Sequence, residues 1–257
     1  MMARLASWSA LFALSMLAPA AVAEQRTSVW VEDVRLEPEE QVETAFTYEF
    51  QTPDLKAIEE GTDLLSFRLN AGVAKALELA PVIRLRQRGN EALRLDELGG
   101  EGRLRVIGDA EAPHLIVYAR YFNDLGENRD HRISAGTAGR YDLSRLLLGA
   151  DLRASGGFGG LAEDSIEIWL GGMIGYSLLP DRKLTAGLET FVIVPASGPR
   201  ISDPTFGEAG QSVSYYYGPV FSLRAGPIWT AASLVTGYPV SEPASHLLFR
   251  WMVGVGH

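Results

Sequence analysis

Most of the ionisable side chains in this chain's extended stretches fall on alternate positions. Glu43 and Glu49, Arg68, Glu78 and Arg84, Arg103 and Arg105, Arg120, Arg132 and Arg140, Asp151 and Arg153, Glu167, Glu189, Arg224 and Arg250 each alternate with apolar or small neighbours. Successive strand side chains point to opposite faces, so this spacing gathers the charges on one face and the apolar residues on the other. A face of this kind can line a water-filled eyelet that favours anions, or close into a network of arginine–carboxylate pairs. Arg153 with Glu167 and Arg140 with Asp151 are the expected pairs of the closed form.

Catalytic chemistry has thin support. A serine nucleophile needs a histidine within hydrogen-bond reach and a third group to orient it. The local candidate is Asp130, His131 and Ser134, but on a strand His131 and Ser134 face opposite ways. His246 beside Ser245 and Glu242 is a second, unspecific cluster. The four histidines are scattered without metal-ligand spacing, and there is no cysteine, so no metal or other cofactor is expected. The run Gly156-Gly157-Phe158-Gly159-Gly160 reads as an external loop, not a phosphate cradle. The formal charge is −9, moving to −10 if Arg4 leaves with a leader, which argues against nucleic acid as a partner.

The elements that carry these charges are long amphipathic strands. The pattern is most regular at Ser165–Val194, where Ile166, Ile168, Leu170, Ile174, Tyr176 and Leu178 alternate with Glu167, Trp169, Gly171, Met173, Gly175 and Ser177. A turn at Pro180–Lys183 joins this arm to a second one of the same kind. Ordinary strands run about 5–6 residues, whereas a tilted membrane strand needs about 9–11. Comparable strands are expected at 42–51, 64–74, 77–86, 102–107, 114–122, 132–141, 146–155, 213–224, 228–236 and 247–256. The connections alternate between long (52–63, 87–101, 123–131, 156–164, 195–210, 237–246) and short. That is the plan of an outer-membrane barrel, with short periplasmic turns and long external loops. The expected fold is therefore all-β: a transmembrane up-and-down antiparallel β-barrel of about 12 strands. Ten or fourteen fit the same pattern, because 102–107 is short and 93–98 reads as either a helical turn or an extra extended piece. Pro81 and Pro219 fall inside strands of a sheet without edges, so bulges are expected there.

Tyr48, Phe50, Tyr121, Phe122, Tyr215–Tyr217 and Tyr238 lie near one end of the strands, and Tyr141, Tyr176, Phe249 and Trp251 nearer the other. Rings at both membrane interfaces are expected of a barrel.

Residues 1–23 have a basic start, a short apolar run and Ala21-Val22-Ala23, the features of a cleaved signal peptide. Cleavage between Ala23 and Glu24 is expected. Residues 24–40 form a periplasmic or lumen-inserted segment, and 41–257 the barrel. An even strand number then puts both termini in the periplasm of a Gram-negative bacterium. The last strand sets Leu247, Phe249, Trp251, Val253 and Val255 on one face, and through it the insertion machinery is an expected partner, beside outer-membrane lipid. The chain ends in His257, where such strands usually end in Phe.

Three phrases, Leu69–Leu85, Arg103–Phe122 and Gly175–Phe191, each a strand, tight turn and strand, resemble the FadL-like MetA-pathway of phenol degradation family. That resemblance implies a 12-strand barrel with a role in uptake of small, often hydrophobic molecules. It supplies no motif from which a binding residue carries over. The expected function is a narrow, monomeric channel or passive transporter for small molecules with an arginine-rich lumen, and no enzymatic activity. A closed structural barrel is the alternative, and a lipid-modifying enzyme the second.

Overall fold

The computed structural model describes residues 29, 31–32, 34–52, 61–108, 113–125, 130–159, 165–179, 183–197, 213–239 and 246–256. The signal-peptide stretch, most of the long loops and His257 lie outside them. Twelve strands follow in chain order: β1 (Val42–Thr52), β2 (Thr62–Ala74), β3 (Leu77–Arg88), β4 (Arg94–Ile107), β5 (His114–Asp124), β6 (His131–Leu143), β7 (Leu146–Phe158), β8 (Ser165–Ser177), β9 (Leu184–Ser197), β10 (Ser214–Ala225), β11 (Ile228–Pro239) and β12 (His246–Gly256). Each pairs antiparallel with its sequence neighbours, and β12 closes on β1. Closure removes the free edges that a sheet of this length would otherwise present.

The two faces divide as the alternation requires. Leu69, Leu79, Ile133, Leu152, Leu170, Ile174 and Leu188 are exposed on the outside. Exposure on this scale around a whole sheet is incompatible with water and fits a lipid belt. Phe46 packs tilted against Phe67 and edge-on against Trp251 across the β2–β1–β12 seam, with centroids 5.2 and 6.4 Å apart. Tyr121, Tyr141, Tyr176, Tyr215 and Tyr217 face outward. Phe122 and Tyr216 are buried inside instead, because each is one residue out of phase with its outward neighbour.

Three expectations are corrected. β4 runs over 14 residues from Arg94, so 94–98 is the start of that strand and neither a helical turn nor a separate piece. Gly99, Gly100 and Gly102 dilute its apolar pattern without interrupting the ladder to β3 and β5. Extending β4 leaves only residues 89–93 between β3 and β4, shorter than the 108–113 link to β5, so the alternation of loop lengths is not strict. Pro81 and Pro219 carry no bulge. The register runs unshifted past both, with Pro81 opposite Gly100 and Pro219 opposite Leu188. Both rings sit on the exposed face, and in an antiparallel ladder a residue donates to one neighbour only, so a proline costs a single bond. The shifts occur at Gly72/Ala74, Arg84/Leu85, Arg105/Ile107 and Ile166/Glu167.

Candidate functional site: a two-sided barrel interior crossed by the N-terminal segment

Cross-strand register assembles the charged wall. Glu78 of β3 lies opposite Arg103 of β4, and Arg84 lies opposite Glu97. Glu101 of β4 lies opposite Arg120 of β5. Arg103, fully buried, is the hub of the cluster. Its Nη1 donates to Glu78 at 3.0 Å, its Nη2 to Glu32 at 2.7 Å, and its Nε lies 3.2 Å from Glu101. Glu101 in turn takes Arg68 and Arg120, and Glu32 also pairs with Arg120. Nearer the long-loop end, Glu97 holds Arg84 at 2.8 Å and also pairs with Arg132, while Arg86 meets Asp96 at 2.7 Å. Charges this far from water persist only when paired, and the geometry here pairs them repeatedly.

The opposite wall is apolar and aromatic. Trp169, Phe191 and Tyr216 stack as a ladder across β8, β9 and β10, with centroids 5.5 and 4.5 Å apart and planes within 12°. Arg153 extends the row on β7, its guanidinium 4.0 Å above the Trp169 ring. A guanidinium over an indole face is held by the ring quadrupole as well as by dispersion. Leu147, Met173, Ile193, Val220, Trp229, Val235 and Leu248 fill in around the ladder.

The described residues of the stretch 29–41 run between the two walls. Gly72 ties down their exit beside β1: its N–H donates to the Gln41 carbonyl and its carbonyl accepts from Glu40, each at 3.0 Å. A Cβ at Gly72 would collide with the Pro38 carbonyl, so only glycine permits this approach. Further in, the Glu37 N–H donates to Glu78 at 2.8 Å, and Arg103 donates to the Arg35 carbonyl at 2.8 Å. Val34 and Leu36 pack against Ile116, Tyr118 and Ala138. Val29 and Val31 then join the aromatic wall. Glu189 accepts from the N–H groups of Val29 (2.6 Å) and Val31 (3.4 Å), and Arg250 donates to the Val29 carbonyl at 3.1 Å.

The expected lining residues distribute as follows. Arg68, Arg84, Arg103 and Arg120 join the charged wall. Arg250 pairs with Glu49 near the β1–β12 seam. In place of the pairing expected of a closed form, Arg140 meets Asp142 at 2.7 Å and Asp151 accepts from the Tyr118 hydroxyl at 2.6 Å. Arg153 meets the Trp169 ring, and it is the Trp169 indole N–H that reaches Glu167, at 3.4 Å. Glu189 binds the backbone of the N-terminal segment. Arg105 is half-buried on β4. Arg224 sits at the rim, its Nε 3.3 Å from the Gly226 carbonyl at the end of β10. His131 lies on the outer face, stacked between Tyr121 and Phe158, with its Nδ1 2.8 Å from the Tyr121 hydroxyl. Ser134, on the inner face, accepts from Ser155 at 3.0 Å, so His131 and Ser134 form no nucleophile–base pair. The His246 cluster lies outside the described side chains.

Glu32, Asp96, Glu97 and Glu101 are missed by the sequence pattern. Glu97 and Glu101 alternate on β4 in step with Arg103 and Arg105, a period obscured by the surrounding glycines. Glu32 lies before the first strand, where no periodicity reports an orientation.

No known protein family matches the chain, and no curated protein does. Solved structures share its fold. The COG4313 outer-membrane channel from Pseudomonas putida F1 is 11% identical, with a TM-score of 0.65 over 90% of this chain and 100% of that one. The NanC porin is 10% identical, with a TM-score of 0.54 over 82% and 98%. The KdgM porin, solved in complex with disordered oligogalacturonate, is 12% identical, with a TM-score of 0.53 over 83% and 98%. The likeness is one of fold: a 12-strand barrel built like those of bacterial outer-membrane channels.

Proposed function

We propose that this chain is a monomeric outer-membrane channel that passes small solutes through a narrow, arginine-bearing lumen, with both termini in the periplasm. On this reading residues 1–23 direct export and are cut between Ala23 and Glu24. The insertion machinery reads β12, and no cofactor or catalytic step takes part. The observation that carries the reading is the inverted distribution of polarity. The barrel exposes an apolar belt and turns Arg68, Arg103 and Arg120 inward against acids that are themselves buried or nearly so. A soluble barrel would do the reverse. The shared fold with solved porins supports the same reading. The FadL-like resemblance remains part of this proposal, with no further support from the comparisons.

A closed scaffold is the second reading, favoured by the N-terminal segment lying across the interior. Planar-bilayer recording of the purified full chain separates the two. Steady current with a preference for anions supports the channel, and an electrically silent, membrane-inserted barrel supports the scaffold.

A further inference from the structure

The contacts between residues 29–37 and the barrel wall are those of a peptide in a binding site. Backbone N–H groups of Val29 and Val31 are taken by one acceptor, Glu189. Backbone carbonyls of Val29 and Arg35 are taken by Arg250 and Arg103. The side chains of Val29 and Val31 lie in the aromatic wall. The Glu32 carboxylate is clamped between Arg103 and Arg120. The barrel thus reads a peptide backbone that bends at Val29 and Val31, two apolar side chains at alternate positions and an acid immediately after the second.

The charges of the clamp assign its role further. Arg68, Arg103 and Arg120 face Glu32, Glu78 and Glu101, so among the described residues this group of six is balanced with Glu32 in place. Two of the acids belong to the wall, and the third arrives on the N-terminal segment. When the segment withdraws, this group keeps three guanidinium groups and two acids, and its surplus positive charge attracts a carboxylate from elsewhere.

We propose that this interior is a peptide-binding site for short acidic peptides of the pattern apolar-x-apolar-acidic, and that Val29, Val31 and Glu32 are its resident occupants. The inference rests on the channel reading for its role in transport: such peptides are the solutes, and they enter by displacing the segment. Because the segment is tethered, it competes at an effective concentration on the order of millimolar, so the intact chain binds free peptide weakly.

The test uses the detergent-solubilised full chain with its segment loosened by Val31→Ser and Glu32→Gln together. Both changes lie outside the barrel wall, and the heat-dependent gel mobility of a folded barrel confirms assembly. The probes are acetyl-Val-Trp-Val-Glu-amide and the same peptide ending in Gln-amide, titrated by calorimetry. The loosened chain is expected to bind the Glu peptide at least about tenfold more tightly than the intact chain does, and about tenfold more tightly than it binds the Gln peptide. Adding Arg120→Gln is expected to erase the difference between the peptides. Equal affinity for the two peptides, or no binding by the loosened chain, overturns the proposal. Bilayer recording of the same samples keeps the two readings apart. Peptide binding without current leaves the site standing and removes the channel. Current that neither peptide alters leaves the channel standing and removes the site.

Discussion

The indole of Trp229 reaches across a whole strand to Glu43. Its Nε1 donates to the Glu43 carboxylate at 2.5 Å, although Trp229 belongs to β11 and Glu43 to β1, with β12 between them. The span is open because Gly254 lies opposite both Trp229 and Ala45, and a Cβ there would collide with the indole. Glu43 passes the contact on to Asn70 of β2 at 2.7 Å. Four strands are therefore stitched across the one seam that joins the two ends of the chain.

Trp229→Phe keeps most of the apolar volume and removes the donor. Glu43 then keeps Asn70 but loses a buried charge-assisted bond, a loss of about 1.5–3 kcal/mol. Gly254→Ala forces the ring from its place and is expected to cost more. Urea titration of the barrel in detergent, followed by gel mobility, gives both values and their order.

Glu101→Gln leaves Arg68, Arg103 and Arg120 short of their shared acid. Removing one partner from a buried ion network costs about 3–5 kcal/mol. Glu49→Gln faces Arg250, whose side chain is 26% exposed, so water softens the same loss. The urea midpoint is expected to fall further for Glu101→Gln.

Phe191→Ala opens a gap between Trp169 and Tyr216 and is expected to cost about 3–5 kcal/mol. Phe191→Leu keeps most of the volume and loses the stacking, so its midpoint should fall between those of wild type and alanine. The same denaturation series checks the order.

Leu170, exposed at 48%, reports the solvent outside the barrel. Leu170→Arg costs about 2–4 kcal/mol if that solvent is a bilayer core and almost nothing if it is water. Folding into lipid vesicles, compared with wild type, measures the difference.

Val31→Cys with Gly171→Cys tests the seat of the N-terminal segment. A Cβ built at Gly171 lies 3.8 Å from the Val31 Cβ, the mean separation in a disulfide, about 3.8 Å. The chain has no cysteine of its own, so no other pairing competes. Oxidation is expected to lower single-channel current and reduction to restore it. Current indifferent to reductant would show that the segment does not obstruct the bore.

Period-two alternation is enough to read the barrel from the chain. In β2, β5, β7 and β8 it turns each strand's apolar set to the observed outer face, because an apolar side chain facing lipid and a charged one facing the interior are dictated residue by residue. It assigns Arg68, Arg84, Arg103 and Arg120 to the inside for the same reason. It weakens in β4, where glycine carries no polarity to alternate, and Glu97 and Glu101 are lost with it. It says nothing of partners. Arg153 meets Trp169 because cross-strand register sets which wall positions come together, and register is not encoded locally. Arg140 meets Asp142, its same-face neighbour two residues on in β6, in preference to the cross-strand acid. Above all, Glu32 lies 71 residues before Arg103 and 88 before Arg120, in a segment with no strand pattern. Its contacts to those two guanidinium groups exist only once the barrel has closed around it.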